Sequence, residues 1–585
     1  MKNLKLIFCL IVLAAIAETN DSHAAALTWS SSPGTWDVGI TANWNGSTAV
    51  FNNGDSVTFN NLGAAGSGAS VVTLANNVQP AAVAVVATVA SVNYTFSGAG
   101  VITGSGTLLK TGASLLTINN SNSFTGGLTL GGGMVTLGNS YGAGSGTITL
   151  SNGVALFANG STVTPGNAIT VVSGASVTIS NNNISPGFNG IISSGDNTAV
   201  ININFTSLSA NADQLDNFSG TVNIGASGVR YSNQGGGSNG GTNATFNLTG
   251  LLNSRNALTQ NVGALTGSGT LQGASSSAPG SSTIFIGAKN INSTFNGTIN
   301  EGSASSHTSI TKVGSGILTL AGTNTYTGAT TVSSGTLTLT NTVTLTNSPT
   351  ITVNAGAVLN LAGASPFNRL YSFTNQTLKG GGTINQAAVE ISGGTLSPGD
   401  GIGTLTVSNG TFLCSAGTLL MELNRTNSAA TNDMLKAPAI TINGGTLLVT
   451  NLGSDLQTGD SFKLFSVGIG GSGFTTVSLP ASNVLNTVQY VWTNRLAANG
   501  SIQVLSGASA VNLTPTNITS VVNNGKLELT WPADHTGWRL QAQTNPLTTG
   551  LGTNWVAILN SNLDNHYTNI LNAANGTVFY RMVYP

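Results

Sequence analysis

The chain has 585 residues, of which only 6% are Asp, Glu, Lys or Arg, against about 25% in ordinary globular proteins. With a net charge of −1, nothing points to nucleic acid or an anionic membrane surface as partner. A hydrophobic content of 40% and a mean hydropathy of +0.20 exclude a disordered polar tail, despite 77 glycines. Apolar residues alternate with small polar ones, which is strand patterning, so the expected class is all-β.

In chain order, residues 1–26 read as a secretory signal peptide. Lys2 and Lys5 precede an apolar run from Leu6 to Ala17, and "SHAAA" (Ser22 to Ala26) offers small residues for cleavage. Removal would take Cys9 with it and leave Cys414 alone, so no intramolecular disulfide is expected. Cys414, in "GTFLCSAGTLLMEL", reads as a small buried hydrophobe. No later stretch is long and apolar enough to predict a transmembrane helix.

Residues 27–100 carry Trp29, Trp36, Trp44, Phe51 and Phe59, three of the seven tryptophans among them. They suit either a glycan-binding platform or the packing of a cap over the first coils. The cap reading is preferred, because a solenoid end is an exposed strand edge that has to be blunted.

Residues 101–480 hold a series of glycine-led strands, among them "GTLLK" (Gly106), "GTITL" (Gly146), "GILTL" (Gly316) and "GTLTV" (Gly403). Many are spaced by about ten or twenty residues, and charged i, i+4 helix patterns are missing. One segment recurs: Lys110 to Leu137 overlays Lys312 to Leu339 without a gap. Lys110 matches Lys312, Gly112 matches Gly314, and Phe124-Thr125-Gly126 matches Tyr326-Thr327-Gly328. These features predict a right-handed parallel β-helix, with Leu, Ile and Val pointing inward, Thr and Ser outward, and Gly and Asn at the corners. A string of β-sandwiches is the alternative. Residues 481–513 read as last strands and a linker. Residues 514–585, richer in charge and aromatics, read as a small C-terminal antiparallel β-sandwich in which Trp531, Trp538 and Trp555 are core residues.

The segment "TKVGSGILTLAGTNTYTGATTVSSGTLTL" (Thr311 to Leu339), and less closely the copy from Lys110, resembles the autotransporter-associated β-strand repeat, also called the passenger-associated transport repeat. Gly393 to Val477, with "GGTLSPGDGIGTLTV", is similar to the end of an autotransporter passenger. The resemblance implies an exported, surface-displayed β-helix and carries over no catalytic residue. An autotransporter ends in an outer-membrane barrel. Only about a hundred residues follow Val477, and they look more like a fibronectin type III sandwich, so self-transport through such a barrel is not expected.

Reactive side chains are sparse. His307, His535 and His566 have no metal-ligand spacing. "GGSNG" (Gly236 to Gly240) and "GGGSNG" (Gly235 to Gly240) fit nucleophile and dinucleotide motifs without the strand-turn-helix context those need. Asp213 and Asp216 form the closest acidic pair, which could serve as general acid and base. Asp433 with Lys436 comes next. Both sets read first as solvated turns. "TLTLTNTVTLT" (Thr336 to Thr346) alternates perfectly and raises the idea of a flat Thr array that orders water or ice. The expectation is therefore a non-enzymatic stalk or adhesin-like surface or matrix protein. It has no catalytic, cofactor or metal site; its partners are surface polysaccharide or other cell-surface proteins. A polysaccharide-cleaving or polysaccharide-binding β-helix is the alternative.

Overall fold

Strict alternation of aliphatic and small polar residues leaves each short strand with one face that must be buried. The chain answers by stacking strands in parallel, coil on coil. The computed structural model describes residues 24–584 except 64–67, 183–187, 205–206, 209–213, 232–238, 255–258, 276–279, 342–344, 365–369, 427–428, 484–485, 487, 508–513, 547 and 573–575. The signal-peptide reading and the Gly-rich motif before Asn239 therefore fall outside the described residues, as does Asp213. The described residues form two units, one comprising residues up to Leu419 together with Leu435–Gly445, the other Leu420–Met434 and everything from Thr446.

The first unit is a parallel β-helix, as the sequence predicts. Eight strands, from Ala26–Thr28 to Ile192–Ser194, stack into one parallel sheet. A second sheet starts at Gly34–Trp36 and runs through Leu115–Ile118, Met134–Leu137, Ala155–Ala158 and Ser176–Asn181 into the later coils. A third, five-stranded sheet runs from Ser207–Leu208 to Thr298–Gly302. Register is held by the inward files. Leu108, Leu128, Ile148, Ile169 and Ile192 lie over one another and are all buried. Leu116, Val135, Leu156, Ile179, Ile203, Ile224 and Leu248 do the same on the second sheet. A slip of one residue would turn a whole file out to water. Between the inward residues stand outward ones: Leu109, Thr129, Thr149, Thr170 and Ser193 form a single outer file on the first sheet.

The start of the helix is filled by aromatics. Trp29, Trp36, Trp44, Phe51 and Phe59 are all fully buried, with Trp29 and Trp44 packed edge to face at 4.9 Å. Their burial leaves no ring face open to a glycan and suits the packing of a cap.

The second unit holds a parallel pairing of Thr446–Asn451 with Thr476–Ser478 and a three-stranded antiparallel sheet of Ser461–Lys463, Val491–Arg495 and Ser501–Ser506. Arg425 pairs with Asp460 at 2.9 Å, both side chains largely buried. From Thr519 two three-stranded antiparallel sheets follow, 519–523/526–530/566–570 and 556–557/539–545/577–583. Leu529, Trp531 and Leu540 form their small core, with Tyr567, Tyr580 and Met582 packed against it. Trp538 is buried too, but Trp555 is not a core residue. It is half-buried, with the Arg581 guanidinium 4.2 Å from its ring centroid. Strand Val556–Ala557 is short and exposed, so its neighbour Trp555 finds a cation instead of a core.

Candidate functional site

The repeated segments place their one conserved-in-phase charge where an aliphatic residue is expected. Lys110 continues the inward face of "TLLK", in register between Val85 and Leu130, and is fully buried. Lys312 lies likewise between Ile286 and Val332. Each ammonium curls into the adjoining corner. Lys110 Nζ donates to the carbonyls of Thr111, Gly112 and Gly132 at 2.8, 3.0 and 3.1 Å. Lys312 Nζ donates to those of Val313, Gly314 and Ser334 at 2.7, 2.8 and 3.1 Å. The third carbonyl in each set belongs to the following coil, so each lysine ties two coils together.

Glycine makes the corner possible. Gly112 and Gly314 both have φ of 72°. A Cβ at Gly112 would lie 2.2 Å from the Ala87 carbonyl oxygen, and at Gly314 it would lie 2.1 Å from that of Gly287. The K-x-G signature is thus one device: a glycine turns the chain tightly, its carbonyls crowd together, and an ammonium satisfies them. Burial pushes both ammonium groups down to about 8. The sequence reading gave Lys312 no role. The signal was its phase, since Lys110 shares the parity of Leu108.

The two repeats differ inside. Phe124 and Leu128 in the first correspond to Tyr326 and Thr330 in the second. There the Tyr326 hydroxyl meets Thr330 Oγ1 at 2.7 Å, Thr330 Oγ1 meets Ser348 Oγ at 3.0 Å, and Ser348 Oγ donates to the Gly328 carbonyl at 2.8 Å. A buried hydroxyl is tolerated because each has a partner.

The other candidates are dispersed. Asp216 is half-buried, and its backbone carbonyl accepts from Asn243 Nδ2 at 2.9 Å. Asp433 does not sit in a solvated turn: it is fully buried, and its Oδ2 accepts the Glu422 amide at 2.8 Å while its own amide donates to the Glu422 carbonyl at 2.8 Å. The carboxylate replaces a strand acceptor where Leu423–Arg425 turns back on Ala430–Asn432. Lys436 is exposed. His307 is exposed, with Nδ1 2.8 Å from Thr327 Oγ1. His535 is buried; its bond to the Thr514 carbonyl at 2.7 Å raises its pKa, with Asp534 adding to the effect. His566 pairs with Asp564 at 2.9 Å on the surface. Among the described residues no three His, Cys, Asp or Glu side chains gather into a group able to hold a metal. No helix among the described residues is long and apolar enough to cross a membrane.

The Thr array is only partly matched on neighbouring coils, and its residues 342–344 lie outside the described residues. Thr336 stands between Ile317 and Val358, and Thr338 between Thr319 and Asn360. Alternation within one strand says nothing about its neighbours.

Cys414 stacks inward between Ile391 and Ile442, and burial pushes its thiol up to about 11. Iodoacetamide at pH 8 is expected to leave Cys414 unmodified in the folded protein and to alkylate it fully in urea. Equal labelling rates by peptide mass mapping would show the thiol to be open.

One concave surface stands out on the second sheet. Asn202, Asn223 and Asn247 lie in register on three successive coils. Asn223 Nδ2 donates to Asn202 Oδ1 at 2.8 Å, and Asn247 Nδ2 donates to Asn223 Oδ1 at 2.9 Å. With Asn204, Gly225 and Thr249 beside them they line a groove of about 640 Å³, and none of the described lining residues is charged. Composition alone could not reveal it, because the amides come from coils more than twenty residues apart in sequence.

The corner geometry coincides with what comparison with protein families finds. The passenger-associated-transport-repeat model matches residues 108–137 and 310–339. The chain carries two passenger-associated transport repeats. Each match contains one buried lysine, its positive-φ glycine and the next-coil carbonyl. No curated protein matched the chain. The repeat and the parallel β-helix together fit an autotransporter passenger, and the repeat family points to a secreted or surface protein.

Proposed function

We propose that the protein is a non-enzymatic, exported β-helical passenger of stalk or adhesin-like kind, displayed at the cell surface or in the matrix around it. One observation carries the reading: in both repeats the only charged side chain is spent inside the fold, on carbonyls of two coils. A segment built this way propagates a coil and presents a neutral outer face. Acid–base cleavage of a polymer needs positioned, titratable groups beside the substrate. The amide groove is lined by neutral residues. Asp433 is already engaged by a backbone amide.

The test is to incubate the purified chain with neutral and acidic polysaccharides for a day and to count new reducing or unsaturated ends. None above a boiled control is expected. New ends on any polymer would overturn the non-enzymatic reading.

A further inference from the structure

The geometry points to a binding site for a linear, neutral polysaccharide in the amide groove, laid along the direction in which coils stack. This deepens the adhesin-like reading above and rests on it. The ligand class follows from the lining. Among the described residues that line the groove none is charged, so an acidic polymer finds no cation there and a basic one no carboxylate. What the groove does offer is amide and hydroxyl groups at coil intervals of ~4.8 Å, a spacing set by strand stacking. A polymer whose hydroxyls recur regularly matches such a row.

The amides are preorganised. Each primary amide has two N–H donors and an oxygen with two acceptor positions. In the ladder Asn223 uses one N–H on Asn202 and one lone pair on Asn247. One donor and one acceptor position remain for a ligand, on a side chain whose rotamer is already fixed. Little entropy is then lost on binding. Aligned amides also polarise one another.

Gly225 supplies an independent observation. Its φ is not left-handed, and a Cβ built on it meets nothing within 4 Å. Its neighbours differ: a Cβ at Gly220 would lie 2.0 Å from the Ala199 carbonyl oxygen, and one at Gly250 would lie 1.9 Å from that of Gly225. Those glycines are demanded by packing. Gly225 is demanded neither by packing nor by backbone conformation, and its missing side chain opens the groove floor between Asn204 and Thr249. The same outer file continues through Ser180 to Phe157, a half-buried ring on the outward side that offers a face for a sugar to stack on.

The experiment is affinity gel electrophoresis of the full chain in gels containing soluble β-glucan, mannan, galactan or starch, with polygalacturonate and a neutral polypeptide as comparison polymers. At least one neutral polysaccharide is expected to retard the wild type. Gly225→Leu, which fills the floor, is expected to weaken that retardation at least about tenfold in Kd with an unchanged melting temperature. Asn223→Leu, which breaks the ladder, should weaken it as well. Retardation by none of the neutral polysaccharides overturns the proposal. So does retardation that Gly225→Leu leaves intact, or a preference for polygalacturonate or the polypeptide. Reducing-end release is measured separately, so cleavage would sink the non-enzymatic reading without deciding the groove.

Discussion

Trp36→Ala is expected to lower the unfolding free energy by about 3–5 kcal/mol, the range for emptying a buried aromatic site. Trp36 is fully buried and touches four other rings: Trp44 at 5.6 Å, Phe51 at 5.4 Å, Phe59 at 5.7 Å and Phe96 at 6.1 Å between centroids. It lies in the strand Gly34–Trp36, which pairs with Val72–Leu74. Emptying this site would loosen the end of the stack, where unpaired strand edges invite association. Trp36→Phe should behave differently. The indole N–H of Trp36 has no hydrogen-bond partner, nor do those of Trp29 and Trp44. Phenylalanine therefore removes less volume than alanine and no hydrogen bond, and a loss clearly smaller than that of the alanine variant is expected. Urea unfolding of both variants, with hydrogen exchange read at Val72–Leu74, separates the two. An alanine variant as stable as the wild type would mean the cluster is not the cap.

Much of the fold is legible in the sequence because the β-helix is a periodic object. Inward files such as Leu108–Leu128–Ile148 repeat a spacing that any coil-forming chain must keep. The clustering of the N-terminal aromatics was legible for a related reason: an end that cannot stack must be filled. Three things were not legible. Register between coils cannot be read from one strand, which is why Thr336 lies beside Ile317 instead of another threonine. Burial of a charge depends on what it can reach, so Asp433 reads as a solvated turn and the repeat lysines carry no role in the sequence, although backbone amide and carbonyl partners hold all three inside the fold. The amide groove is formed by residues that are near only through stacking, and Gly225 is one glycine among many until the space around its Cα is known.

Lys312→Met is expected to cost about 3 kcal/mol, a value typical of removing one partner from a buried charged network. Methionine fills most of the space left by the lysine stem, so packing changes little. What is lost is the donor for the Val313, Gly314 and Ser334 carbonyls. An unsatisfied buried acceptor costs about 1–3 kcal/mol. The damage should stay local, since a coil contacts only its neighbours, and hydrogen exchange should quicken at Thr330–Val332 more than at Leu128–Leu130. The same lysines give the protein a pH signature. Both are lowered from 10.5 to about 8 in the fold. Between those values the unfolded chain holds protons that the folded chain has shed, so stability rises with pH. Groups raised by burial act in the opposite direction higher up: the Cys414 thiol is raised from 9.0 to about 11, the Tyr94 hydroxyl from 10.0 to about 12, and the Tyr490 and Tyr567 hydroxyls are raised as well. Each of these stabilises the fold below its unfolded pKa and ceases to as pH climbs through the folded one. The window from pH 8 to 9 therefore belongs mainly to the lysines. The wild-type urea midpoint should rise across it. Lys110→Met with Lys312→Met should remove most of the rise, and Lys289, also lowered by burial, should account for what is left. A wild-type midpoint that is flat or falls over that window, or a rise that survives the double substitution, would show that the corner ammonium groups keep their ordinary pKa and that the three carbonyls outweigh burial.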